Sequence, residues 1–209
     1  MSMQIFQIGS TEESKKSWAW WNALEGQWKM AFNEAAFGKG PILAPPKDEE
    51  LVLLLTRANV LRFVGPLGIN PSMSFQVTNL SGLEGLKHLV SLTVNFCKLD
   101  NLEPLRTHFR LKALFVNNNK LTSLKGLENL LQLQELYANV NEITNLQPLE
   151  NLTNLNTLYV NYNKLTSVAG ISVAHAQNLR HFYVEPNEGI PHTEFVKMQM
   201  NYGILCRKG

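Results

Sequence analysis

The sequence predicts an α/β solenoid, a stack of short repeats closed by a helical segment at each end. Three observations carry the prediction. Four segments align at a 22-residue step. Each carries a row of leucines that a single repeat has too little interior to bury, so neighbours must stack into a continuous core. The flanks lose the repeat and show helical periodicity instead.

The repeats read LEGLKHLVSLTVNFCKLDN from Leu83, LRTHFRLKALFVNNNKLTS from Leu105, LENLLQLQELYANVNEITN from Leu127 and LENLTNLNTLYVNYNKLTS from Leu149. Their strand cores fall on Leu92/Val94, Leu114/Val116, Leu136/Ala138 and Leu158/Val160. A fifth, Phe182/Val184, arrives two residues late, so the stretch from Val168 to Leu179 holds a small insertion. Leu61/Phe63 reads as a degenerate first strand, followed by the long loop GPLGINPSMS. Each buried leucine contributes roughly 1.5–3 kcal/mol relative to exposure, and several per repeat offset the entropy of ordering it.

These residues resemble the leucine-rich repeat family, pattern LxxLxLxxNxL, in its 22-residue form. They look most like the repeats of bacterial internalins and of the repeat-type regulatory subunit of protein phosphatase type 1, over about Leu61 to Asn187. The resemblance implies a right-handed solenoid with parallel strands on a concave face and 3₁₀ or irregular turns on the convex side. It also implies that Cys97, Asn119, Asn141, Asn163 and Asn187 form an inward ladder bonding backbone groups at the turns. Such bonds are needed because a turn at a strand end leaves buried N–H and C=O groups without partners. Cys97 then reads as a buried structural thiol.

Strand side chains alternate, so the positions between and after the core pair point away from the core. The middle position reads Thr93, Phe115, Tyr137, Tyr159 and Tyr183, with Arg62 extending it at the N-terminal end. The next outward position reads Asn95, Asn117, Asn139, Asn161 and Glu185. The outward position before the pair reads Ser91, Ala113, Glu135, Thr157 and His181. Strands about 4.8 Å apart turn these into continuous columns, one aromatic and one of amides. The concave site is therefore expected to comprise Arg62, Thr93, Phe115, Tyr137, Tyr159 and Tyr183, together with Asn95, Asn117, Asn139, Asn161, Glu135, His181 and Glu185.

Residues 1–57 are expected to form a helical N-terminal cap, 58–188 the repeats, and 189–209 a C-terminal cap helix and tail. Ser10 through Glu13 fits a capping box, and Trp18, Trp21, Trp28 and Phe32 follow at helical spacing until Gly38 and Pro41 end the pattern. A second helix is expected from Pro46 to about Thr56, its first turn acidic. All four tryptophans lie between Trp18 and Trp28. They read as a stripe docked on the open end of the stack, with Trp20 as the one candidate for an exposed partner surface. At the other end, Thr193 to Tyr202 reads as a helix with Phe195, Met198 and Tyr202 on one face and Gly203 as its stop.

No catalytic constellation is visible. Asp48 and Asp100 are the only aspartates, and the five histidines, His88, His108, His175, His181 and His192, show no metal-ligand or triad spacing. The Gly38–Gly40 GKG lacks the neighbours a phosphate loop needs. The Asn-x-Ser/Thr matches at Asn79 and Asn151 follow from the repeat's own habit of writing Asn-Leu. His108 stands where other repeats have Leu86, Leu130 and Leu152. The expectation is that Phe109 takes the core place and the imidazole reaches the surface.

Net charge is +2 with 17% charged residues, which argues against a nucleic-acid binder. The longest apolar run, Leu51 to Leu55, is far short of the roughly 20 residues of a membrane span. Two cysteines and a start, MSMQIFQIGSTEES, without secretory features suggest a cytoplasmic chain. The expectation is a monomeric, non-enzymatic module with no cofactor and no metal, binding a protein or extended peptide on its concave face. A glycan-binding protein using the same face, and a targeting or regulatory subunit of an enzyme, are the alternatives.

Overall fold

The computed structural model describes residues 11–209, so the Ser10 end of the expected capping box lies outside the described residues. Helix α1 (Thr11–Ala23) and helix α2 (Gly26–Ala31) lead into a π-helical turn, Phe32–Ala36. Helix α3 (Asp48–Arg57) then enters a sheet of seven parallel strands ordered as in the chain. The strands are β1 (Val60–Val64), β2 (Ser91–Asn95), β3 (Ala113–Phe115), β4 (Glu135–Tyr137), β5 (Thr157–Tyr159), β6 (His181–Glu185) and β7 (Cys206–Lys208). Helix α4 (His192–Tyr202) lies between the last two. No helix among the described residues is long and apolar enough to cross a membrane.

The repeat period sets the register. Leu61, Leu92, Leu114, Leu136, Leu158, Phe182 and Cys206 are successive partners across the sheet. Their side chains enter one continuous core with the convex-side leucines, nearly all fully buried. Short 3₁₀ turns at Ser81–Leu83, Glu103–Leu105, Gln147–Leu149 and Val173–His175 return the chain between strands.

The ladder holds those turns. The Asn141 amide donates to the Val116 and Ala138 carbonyls (3.0 and 3.1 Å), and its oxygen accepts from Leu121 N–H (3.0 Å). Asn119, Asn163 and Asn187 repeat the pattern, each binding carbonyls of its own and the preceding repeat. Cys97 fills the first position and is buried; burial pushes its thiol pKa up, opposed by backbone hydrogen bonds at Val77 and Gly65.

Three expectations need correction. The tryptophan segment is two helices, because Glu25 is extended (φ −61°, ψ 152°). Its carboxylate accepts from Gln27, Asn79 and Ser81, which lowers its pKa and ties the break to the first repeat. The break lets Trp28 lie on Gly82, where an added Cβ would meet the indole at 2.2 Å. Trp21 and Trp28 are buried, and Trp18 donates to Asp48 Oδ1 at 2.6 Å. Trp20 is half-buried against Phe32 (centroids 5.2 Å apart), so the stripe packs into the same core as the repeats.

Second, His108 is fully buried and Phe109 is 54% exposed, the reverse of the expectation. His108 Nε2 bonds the Leu83 carbonyl at 3.0 Å, and His175 Nε2 bonds Leu149 in the same way at 3.1 Å. An imidazole fills the leucine slot and also satisfies a buried carbonyl, which a phenyl ring cannot. Third, the expected tail is a strand, β7. The cap helix buries Met198 and half-buries Phe195, while Tyr202 stays exposed; Gly203 ends it in the left-handed region (φ 68°).

Candidate functional site

The outward side chains of β2 to β6 form the aromatic column in register. Thr93 pairs with Phe115, Phe115 with Tyr137, Tyr137 with Tyr159 and Tyr159 with Tyr183. The four rings stack with centroids 4.7, 4.6 and 4.1 Å apart and interplanar angles of 19°, 13° and 14°. All four are half-buried. Ring faces are therefore used up against one another, and water meets a row of ring edges and hydroxyls. Ring edges carry the positive end of the aromatic quadrupole, so this row favours carbonyl and carboxylate oxygens.

Burial raises the Tyr137 pKa, helped by the charge of Glu135 and by Tyr183. Tyr159 is pushed up to about 12, first by burial, then by its hydrogen bond with Tyr183 and the neighbouring tyrosines; Arg207 opposes this. The phenols of Tyr137 and Tyr159 are therefore neutral at physiological pH.

Beside the column, Asn95, Asn117, Asn139 and Glu185 are half-buried on the same face, as is Glu135; His181 is exposed. Asn161 departs from the expected water-facing ladder. It is 3% exposed, because Gly209 lies against its amide, close enough that an added Cβ would meet it at 2.5 Å. Gly209 is held there by its N–H donating to the Glu185 carbonyl. Arg62, exposed, pairs with Thr93, so it extends the middle column beyond a threonine rather than touching a ring. Its guanidinium donates to the Ile69 and Asn70 carbonyls (3.3 and 2.7 Å) and so steadies the long loop.

One residue escaped the sequence reading. Arg207 of β7 pairs with Tyr183 and ends the column at the other side, so arginines stand at both ends. The only sequence signal was the alternation Cys206, Arg207, Lys208 in a three-residue tail, too short to read as a strand. Among the described residues, no group of three or more His, Cys, Asp or Glu could hold a metal ion.

A family model described as leucine-rich repeats, two copies, matches residues 131–173. The chain carries leucine-rich repeats. Its structure is similar to internalin inlF of Listeria monocytogenes (25% identity, TM-score 0.50), over 54% of this chain and 33% of that one. The leucine-rich repeat ectodomain of the Arabidopsis thaliana receptor kinase SOBIR1 is alike in fold (23%, TM-score 0.50; 62% and 72% covered). So is the functional domain of InlJ of Listeria monocytogenes, which includes a cysteine ladder (19%, TM-score 0.57; 81% and 35% covered). The matched part spans about a third of each internalin chain. No curated protein matches the chain. The chain thus resembles the internalins, and solenoids of this kind serve generally as protein-interaction modules through the broad face their stacking creates.

Proposed function

We propose that this chain is a non-enzymatic module that binds a protein partner, in an extended stretch, along the aromatic column. Phe115, Tyr137, Tyr159 and Tyr183 anchor the partner, and Asn95, Asn117 and Asn139 bond its backbone. Arg62, Glu135, His181, Glu185 and Arg207 set polarity around the column. The observation that carries the reading is the unbroken stack of four half-exposed rings on the open side of the sheet. A row of ring edges and phenol hydroxyls offers the carbonyls and amides of an extended chain partners along the whole face. The same geometry disfavours the glycan reading, because a sugar stacks on an open ring face and the interior faces are covered. Two free cysteines suit a reducing compartment, and the reading places the protein in the cytoplasm as a monomer.

The test is affinity capture from the source organism with the wild-type chain beside a Tyr137→Ala/Tyr159→Ala variant of unchanged circular dichroism. The captured protein is then titrated against both. The variant should bind it weaker by about 1–2 kcal/mol or more. Equal affinity would remove the column from the interface.

A further inference from the structure

Among the described residues, the outer edge of β1 is only partly covered. The Asn59 carbonyl accepts from Val90 and Ser91, and Gly65 N–H donates to Asn95, so the odd-numbered residues of this segment face β2. The even-numbered ones face outward. At the C-terminal half a side chain stands in for a strand: Ser72 Oγ accepts from Val64 N–H (2.9 Å) and donates to the Arg62 carbonyl (3.0 Å). Ser72 and Met73 N–H groups complete the cover at the Val64 carbonyl. Ahead of Ser72 it stops. Among the described residues, the N–H and C=O of Val60 and the N–H of Arg62 have no hydrogen-bond partner. Val60 is also 62% exposed.

These free groups border a groove of about 670 Å³ between the π-helical turn, α3 and β1. Ala36, Phe37, Leu53 and Leu61 wall it, and Glu50 and Arg57 stand at its rim. Glu50 is engaged, by Lys39 at 2.5 Å and by Lys47 N–H at 2.7 Å. Arg57 has no ion pair among the described residues, so the free charge of the groove is positive. The opposite sheet edge differs. There β7 is three residues long and carries exposed Arg207 and Lys208, the usual guard against further pairing. On β1 the one exposed charge, Arg62, is held on the Ile69 and Asn70 carbonyls, and Val60 carries none.

We propose that the Val60–Arg62 edge accepts an extended segment of a partner protein as an eighth strand. A large aliphatic side chain of that segment enters the groove, and a carboxylate two residues along meets Arg57. The groove is the place a leucine from a preceding repeat would fill, since an inward side chain opposite Leu61 points there. A second copy is a poor occupant: a two-fold axis would set groove against groove, hollow facing hollow. The surface lies beyond the four rings and shares only Arg62 with the proposed face, so this inference and the proposed function fail separately.

The test uses the full ¹⁵N-labelled chain and an acetylated, amidated peptide, Thr-Val-Thr-Leu-Thr-Glu-Thr. The expected result is saturable movement of the Val60 and Arg62 amide signals. The peptide with proline in place of leucine should lose binding. Arg57→Glu should weaken it about tenfold by turning a charge-assisted contact into repulsion, and Tyr137→Ala/Tyr159→Ala should leave it unchanged. Absence of movement at Val60 and Arg62, or movement confined to the aromatic column, overturns the proposal. So does a dimer in light scattering that Leu53→Glu disperses, which would make a second copy the occupant. Slow hydrogen exchange at Val60 and Arg62 in the free monomer overturns it too, since the chain would then cover its own edge.

Discussion

Replacing Asn141 by alanine should cost stability on the scale of truncating a core leucine, although it removes no apolar packing. The side chain is buried and holds four backbone groups: the carbonyls of Val116, Ala138 and, at 3.4 Å, Asn139, and the N–H of Leu121. Alanine leaves the Leu121 N–H inside with no partner, while the Val116 and Ala138 carbonyls each keep one donor, from Asn119 and Asn163. A buried unsatisfied N–H costs about 1–3 kcal/mol and the two lost amide–carbonyl bonds about 0.5–1 kcal/mol each, giving a loss of about 2–4 kcal/mol. Against a domain stability of about 5–15 kcal/mol, that is a large share. The control is Asn117→Ala, one turn away on the water-facing side, with an expected change below about 0.5 kcal/mol. Equilibrium guanidinium unfolding would be followed by circular dichroism, which sees the repeats, and by tryptophan fluorescence, which sees only the N-terminal cap. If the stack unfolds as one unit, both probes shift together for Asn141→Ala. A loss below 1 kcal/mol, or a loss equal to that of Asn117→Ala, would refute the ladder's structural role.

Two further outcomes follow from local geometry. Burial lowers the His108 pKa, opposed by the hydrogen bond to Leu83 and reinforced by the charge of Lys87. The folded chain therefore binds a proton less readily than the unfolded one. This contribution is intact above the ordinary histidine value near 6.5 and is lost as pH falls from there through the folded pKa. His108→Leu should flatten the slope of stability between pH 7.5 and 5; an unchanged slope in denaturant titrations would dismiss the histidine as its source. Val140 sits at φ 56°, where a β-branched residue is strained, and the same position one repeat earlier is Asn118 at the same angle. Val140→Asn should raise stability by about 1 kcal/mol, or a melting temperature by about 2–4 °C. A lower melting point would show that the exposed valine makes contacts the strain argument omits.

The register of the sheet was legible because translation along a repeat maps position in the chain onto position in space. Any residue 22 places on sits one strand over, so Tyr137 and Tyr159 had to be neighbours, and Asn119, Asn141 and Asn163 had to form a ladder. Where the period fails, the mapping fails with it. The bend at Glu25 comes from side chains of Asn79 and Ser81, more than fifty residues away. The exchange of His108 and Phe109 turns on one carbonyl, that of Leu83, whose need for a donor no hydrophobicity pattern records. Asn161 was read as water-facing because its repeat position is, and it is covered because β7 folds back beside β6 and brings Gly209 over it. The open edge at Val60 belongs to the same class, since strand pairing is a non-local bond that only the neighbouring elements can grant or withhold. Local periodicity thus determined the stack, its core and its aromatic column, whereas tertiary contacts decided which of those outward groups remain accessible.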